Sequence, residues 1–105
     1  MTADKEQQLK EITDKIVRQF QPEKIILFGS QAWGTPNADS DFDLFIVKDT
    51  EDIRDFRRQV DGFIFPRPFP IDILASRPAR LEARLNAGDF FLRDIVTKGK
   101  VLYAK

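Results

Sequence analysis

Two places along this chain combine residue types that chemistry would need. The first is Gly29-Ser30, set directly after the apolar run Lys24 to Phe28 (KIILF). The second is Asp41-Phe42-Asp43, which opens the apolar run DFDLFIV. Alternate residues of a strand share a face, so Asp41 and Asp43 are expected side by side, with Phe42 and Leu44 on the opposite face. Two carboxylates on an apolar strand repel each other and lose hydration. At about 5 Å and an effective dielectric near 20 the repulsion is about 3 kcal/mol. A cation between them removes it, and oxygen ligands select a hard one. A third carboxylate, Asp72, sits in the similar context Pro70-Ile71-Asp72-Ile73-Leu74. If that strand lies beside the second, three carboxylates meet at one sheet end, a cluster suited to two divalent ions in phosphoryl transfer. Glycine lacks a Cβ, so a phosphate can approach Gly29 closely, and Ser30 adds a hydroxyl donor.

Two other phosphate or metal patterns fail on register. Gly29 and Gly34 have Walker A spacing, but Thr35-Pro36 stands where Lys-Ser/Thr is required. Asp39, Asp41 and Asp43 resemble the start of a calcium loop. Counting from Asp39, the sixth position is Leu44 where glycine is needed, and the twelfth is Thr50 where glutamate is needed.

Composition narrows the chemistry further. The chain has 105 residues, enough for one domain, and 42% of them are hydrophobic, enough for a core. Seventeen basic residues cancel seventeen acidic ones. That balance argues against strong non-specific nucleic-acid binding, which needs a basic surplus. With no cysteine and no histidine, disulfides, thiolate chemistry and imidazole bases are excluded. A metal must therefore be held by oxygen, favouring Mg²⁺, Mn²⁺ or Ca²⁺. No run approaches the roughly 18 apolar residues of a membrane helix, and the N-terminus is polar, so the expected location is the cytoplasm.

The elements that must position these groups follow from periodicity. Leu9, Ile12, Ile16, Val17 and Phe20 trace one face of a helix from Asp4 to Phe20, stopped by Pro22. Lys24 to Phe28 is a buried strand. Gly29 to Ser40 is turn-rich, with a short helical turn at Gln31 to Trp33. Asp41 to Val47 is the second strand. Glu51 to Val60 is a helix ended by Asp61-Gly62. Phe63 to Pro70 is too proline-rich for regular structure. Ile71 to Leu74 is the third strand, and Ser76 is expected to cap a helix starting near Pro78. Gly88 separates that helix from another over Asp89 to Lys98, and Val101 to Tyr103 adds an edge strand. The order predicts an α/β (α+β) unit spanning 1–105, with helices packed on a small mixed sheet.

The joint pattern Gly29-Ser30-Gln31-Ala32-Trp33-Gly34, followed by Ser40-Asp41-Phe42-Asp43-Leu44, resembles the GS-x10-D-x-D signature of polymerase-β-type nucleotidyltransferases. Asp72 falls where that superfamily carries its third carboxylate. The length is similar to the minimal nucleotidyltransferase (MNT) branch, and the likeness runs from about Lys24 to Leu74. The resemblance implies transfer of a nucleoside monophosphate from an NTP, ATP foremost, to an acceptor hydroxyl with release of pyrophosphate. It implies that Asp41 and Asp43 hold two Mg²⁺ ions (Mn²⁺ as a substitute). Asp72 would complete the ion near the acceptor and help deprotonate the hydroxyl, while Gly29 and Ser30 hold the triphosphate. Gln31 departs from the basic residue many relatives carry there. The MNT antitoxin branch further implies a partner, a HEPN-domain ribonuclease toxin modified on tyrosine, and hence a hetero-oligomer or homo-oligomer. Two alternatives accompany it: the catalytic subunit of an aminoglycoside-type nucleotidyltransferase, and a catalytically silent antitoxin acting by occlusion.

Outside the signature, Arg77, Arg80 and Arg84 form a basic stripe that reads as a solvated face, as do Arg54, Arg57 and Arg58. Trp33 is read as a packing residue beside the loop. Phe63, Phe65 and Phe69 either close the core or form an aromatic patch for a partner.

Overall fold

The computed structural model describes residues 3–34 and 41–105. Helix α1 (Ala3–Phe20) leads into strand β1 (Lys24–Phe28), and a single-turn helix α2 (Ser30–Trp33) follows Gly29 directly. Strand β2 (Phe42–Val47), helix α3 (Ile53–Phe63) and strand β3 (Ile71–Ser76) form the next unit. Helices α4 (Pro78–Asn86) and α5 (Phe90–Lys98) and strand β4 (Lys100–Ala104) complete the order. Asp39, with the rest of 35–40, lies outside the described residues.

The four strands make one mixed sheet in the order β3-β2-β1-β4. β1 pairs antiparallel with both β2 and β4, whereas β2 and β3 run parallel, joined by α3 as the crossover. Helices cover both faces, which explains why β1 and β2 read as continuous apolar runs and lack alternation. On one face Ile25, Leu27, Phe42, Leu44, Ile46, Ile71 and Ile73 pack with Leu9, Ile12 and Ile16 of α1 and with Phe56 and Val60 of α3. On the other, Ile26, Phe28, Phe45 and Val47 pack around Ile95 of α5, which is fully buried.

Three sequence expectations are corrected by packing. α3 runs through Asp61-Gly62 to Phe63 instead of stopping at Val60. Val60 and Ile64 are both buried, and the Ile64 N–H bonds the Val60 carbonyl. Extending the buried stripe by one turn outweighs the roughly 1 kcal/mol that glycine costs in a helix. Ser76 is the last residue of β3, its hydroxyl donating to the Arg77 carbonyl, and Arg77 is the N-cap of α4. The pairing of β3 with β2 extends to Ser76 opposite Val47 and claims the residue from the helix. β2 itself begins at Phe42, so Asp41 precedes the strand.

The proline-rich segment divides its aromatics. Phe69 is buried and stacks on Phe42 with ring centroids 4.3 Å apart. Phe63 meets the edge of Phe20 at 5.4 Å, and Phe65 is 74% exposed. The segment thus partly closes the core. The Phe65-Pro66 peptide is cis.

Candidate active site

Strand register brings the separated sequence features together. Phe28, the last residue of β1, pairs with Asp43, and Asp43 pairs with Asp72 on the other side. Because Phe28 and Phe45 belong to the α5-side cluster, Asp43 stands on that face of the sheet. The chain leaves β1 through Gly29 at φ 77°, ψ −158°, a region essentially reserved for glycine. A Cβ at Gly29 would run into the Asp43 carboxylate oxygen Oδ2. Glycine is required here twice over, by the backbone turn and by the closeness of the loop to the carboxylate. The loop is then held by the α2 turn: Ala32 and Trp33 N–H groups both reach the Gly29 carbonyl, at 3.0 and 3.1 Å.

Asp43 is partly buried, while Asp41 and Asp72 are exposed. Burial pushes the Asp43 carboxyl above its usual range, and the charges of Asp72 and then Asp41 push in the same direction. Both other carboxylates therefore bear on Asp43 through space, Asp72 from the paired strand and Asp41 from just before β2, outside the strand on which alternation places it. Among the described residues, no group of three or more acidic side chains is gathered closely enough to hold a metal ion, so the structure does not draw Asp41, Asp43 and Asp72 into one ligand set. The donor chemistry nonetheless fits a hard divalent cation: the groups are oxygen-only carboxylates, and a cation would offset both the lost hydration and the added repulsion that raise Asp43.

Two supports of the site were not legible beforehand. Arg67 reaches out of the proline-rich segment with its guanidinium against the carbonyl of Ile71, the residue before Asp72. The same group pairs with Asp61 Oδ1 at 2.6 Å, and its Nη2 also donates to the Asp61 carbonyl at 3.2 Å. Arg67 Nε is buried without a hydrogen-bond partner among the described residues. This clamp ties the end of α3 to the start of β3. Phe28 is the second support: Trp33 lies 6.4 Å from its ring and Phe91 meets it edge-on at 5.9 Å. Trp33 is indeed a packing residue, though 42% exposed.

The basic stripe divides by its partners. Arg84 Nε and Nη2 bind Asp89 at 3.1 and 2.9 Å, and Asp89 also caps α5 by accepting from the Leu92 N–H. Arg80 is exposed and has no partner among the described residues.

The mixed sheet sets a glycine turn against the Asp43 carboxylate, with Asp72 on the adjoining strand. The family model for "Polymerase beta, Nucleotidyltransferase" matches residues 10–105, and the chain belongs to that family. Solved structures share the fold. A candidate nucleotidyltransferase from Sulfolobus solfataricus superposes with a TM-score of 0.66 at 19% identity, over 94% of this chain and 79% of that one. A toxin–antitoxin structure with AMP-PNP gives 0.61 at 22% identity, over 91% and 73% of the two chains. A toxin–antitoxin MntA-HpeT mutant, with two aspartates changed to glutamate, gives 0.60 at 20% identity over the same shares. No curated protein matches the chain significantly in sequence. No helix among the described residues is long and apolar enough to cross a membrane.

Proposed function

We propose that this nucleotidyltransferase moves AMP from ATP to a hydroxyl of a partner protein, a tyrosine of a HEPN-domain ribonuclease toxin, and serves as that toxin's antitoxin. The observation that carries the reading is the register that sets Gly29 against Asp43 and Asp43 beside Asp72. The antitoxin role is supported by the likeness of fold to a toxin–antitoxin structure with AMP-PNP and to the MntA-HpeT pair.

Asp41, Asp43 and Asp72 would hold two Mg²⁺ ions. Bound there, the metal supplies charge neutralisation for the triphosphate and lowers the proton affinity of the attacking hydroxyl. Gly29 leaves room for the phosphates at the end of β1, and the Ser30 hydroxyl donates to them. Asp72 is exposed at the outer edge and orients the acceptor hydroxyl, accepting its proton as the oxygen attacks the α-phosphorus. The new P–O bond forms as the bond to pyrophosphate breaks, and pyrophosphate leaves with the electron pair. Phe28 and Phe45, on the same face, limit water beside the carboxylates.

The test is incubation with Mg²⁺ and α-labelled ATP, with and without the protein encoded alongside. Label on that partner, lost in Asp41→Asn and Asp43→Asn, is the expected result. Undiminished label in both variants would overturn the metal assignment.

A further inference from the structure

Beyond the carboxylates, on the same sheet face, lies an open cleft of about 300 Å³. Its floor is Phe45 and Leu74, each two residues past Asp43 and Asp72 along the parallel strands, a step of about 7 Å. Its walls are Arg80 and Arg84 of α4 and Phe91 of α5. Gly29 and Ser30 lie across the sheet on the β1 side of Asp43, whereas the cleft follows β2 and β3 away from it. The carboxylates therefore have two distinct flanks.

The charge of the cleft is lopsided. Arg84 is neutralised by Asp89, but Arg80, beside an apolar floor, has no partner among the described residues, and Leu74 is 37% exposed there. A guanidinium sharing a cleft with the exposed carbon of Leu74 and Phe91 suits a ligand that brings both a carboxylate and a ring. We propose that this cleft docks the acceptor segment of the partner protein, an acidic stretch flanking an aromatic hydroxyl, with Arg80 as the residue that selects its charge. The inference rests on the nucleotidyltransferase reading above, and assigns the second substrate a place distinct from the nucleotide's.

The experiment uses the full ¹⁵N-labelled chain and three probes: a short peptide with tyrosine flanked by glutamates, the same peptide with lysines, and Mg²⁺ with AMP-PNP. The acidic peptide is expected to shift the amides of Leu74, Arg80 and Phe91, and to lose at least fivefold in affinity in Arg80→Glu. The lysine peptide is expected to leave them unmoved. AMP-PNP is expected to shift Gly29 and Ser30 and to bind Arg80→Glu within twofold of the parent. Because Arg80 is exposed and has no partner among the described residues, the variant should keep the parent's amide spectrum elsewhere. Equal binding of the two peptides, binding of neither, or displacement of the acidic peptide by AMP-PNP overturns the proposal. Peptide binding in the cleft with no AMP-PNP shift at Gly29 would instead overturn the nucleotidyltransferase reading.

Discussion

Gly29→Ala separates what the backbone needs from what the carboxylate needs. At φ 77°, ψ −158° an L side chain is strained by about 1–3 kcal/mol. The new methyl also meets Asp43 Oδ2, the mobile end of a side chain that can rotate away. The stability cost should therefore be almost wholly the backbone's, and the carboxylate's displacement should appear in ligand binding. For a chain of this size, with a urea slope near 1.5 kcal/mol/M, a 2 kcal/mol loss moves the unfolding midpoint by about 1.3 M. Circular dichroism in urea measures it, on the parent, Gly29→Ala, Asp43→Ala and the double variant. The glycine substitution should cost the same in both backgrounds to within about 0.5 kcal/mol. Mn²⁺ affinity, read by electron paramagnetic resonance, should fall at least tenfold in Gly29→Ala alone, since one unit of log affinity is only about 1.4 kcal/mol. A loss of stability below about 0.5 kcal/mol, or unchanged Mn²⁺ binding, would refute the reasoning.

Other perturbations address the supports. Ile95→Ala removes the buried centre of the α5-side cluster and should cost about 2–5 kcal/mol in the same urea titration. Asp43→Asn should stabilise the metal-free protein at neutral pH: with a folded carboxyl raised above its unfolded value, the parent gains stability only as pH falls through that raised value, and the variant lacks this gain. Asp89 has the opposite sign. The Leu92 N–H and then Arg84 hold its carboxyl below the usual range, so its contribution is present above the ordinary carboxylate value and lost as pH falls through the lowered one. Asp89→Asn should flatten that acid limb in thermal melts taken across pH. Arg67→Ala leaves Asp61 unpaired and frees the Ile71 carbonyl, and should cost about 1–3 kcal/mol while weakening Mn²⁺ binding through Asp72. Mn²⁺ binding equal to the parent's would show that the clamp does not position Asp72.

The division between sequence and fold is visible residue by residue. Lys24–Phe28 was legible with both its ends, because an apolar run between Pro22-Glu23 and Gly29 has few other ways to hide its side chains. The Gly29-Ser30 pair and the Asp41-x-Asp43 pair stood out as candidate chemistry because their spacing is local, whereas Asp89, read only as the first residue of a helix, is its N-cap. Asp72 could be proposed as a third carboxylate but not brought to the others, since that took the parallel pairing of β2 with β3 across the α3 crossover. The glycine's contact with Asp43 likewise depends on antiparallel pairing of β1 with β2. The passage of α3 through Gly62, the claim of β3 on Ser76, the burial of Phe69 against Phe42 and the Arg67 clamp were all decided by partners distant in sequence. Propensity and periodicity act over a few residues and determined which candidate groups this chain offers. Burial and strand register act between segments far apart, and they alone decided which of those groups meet.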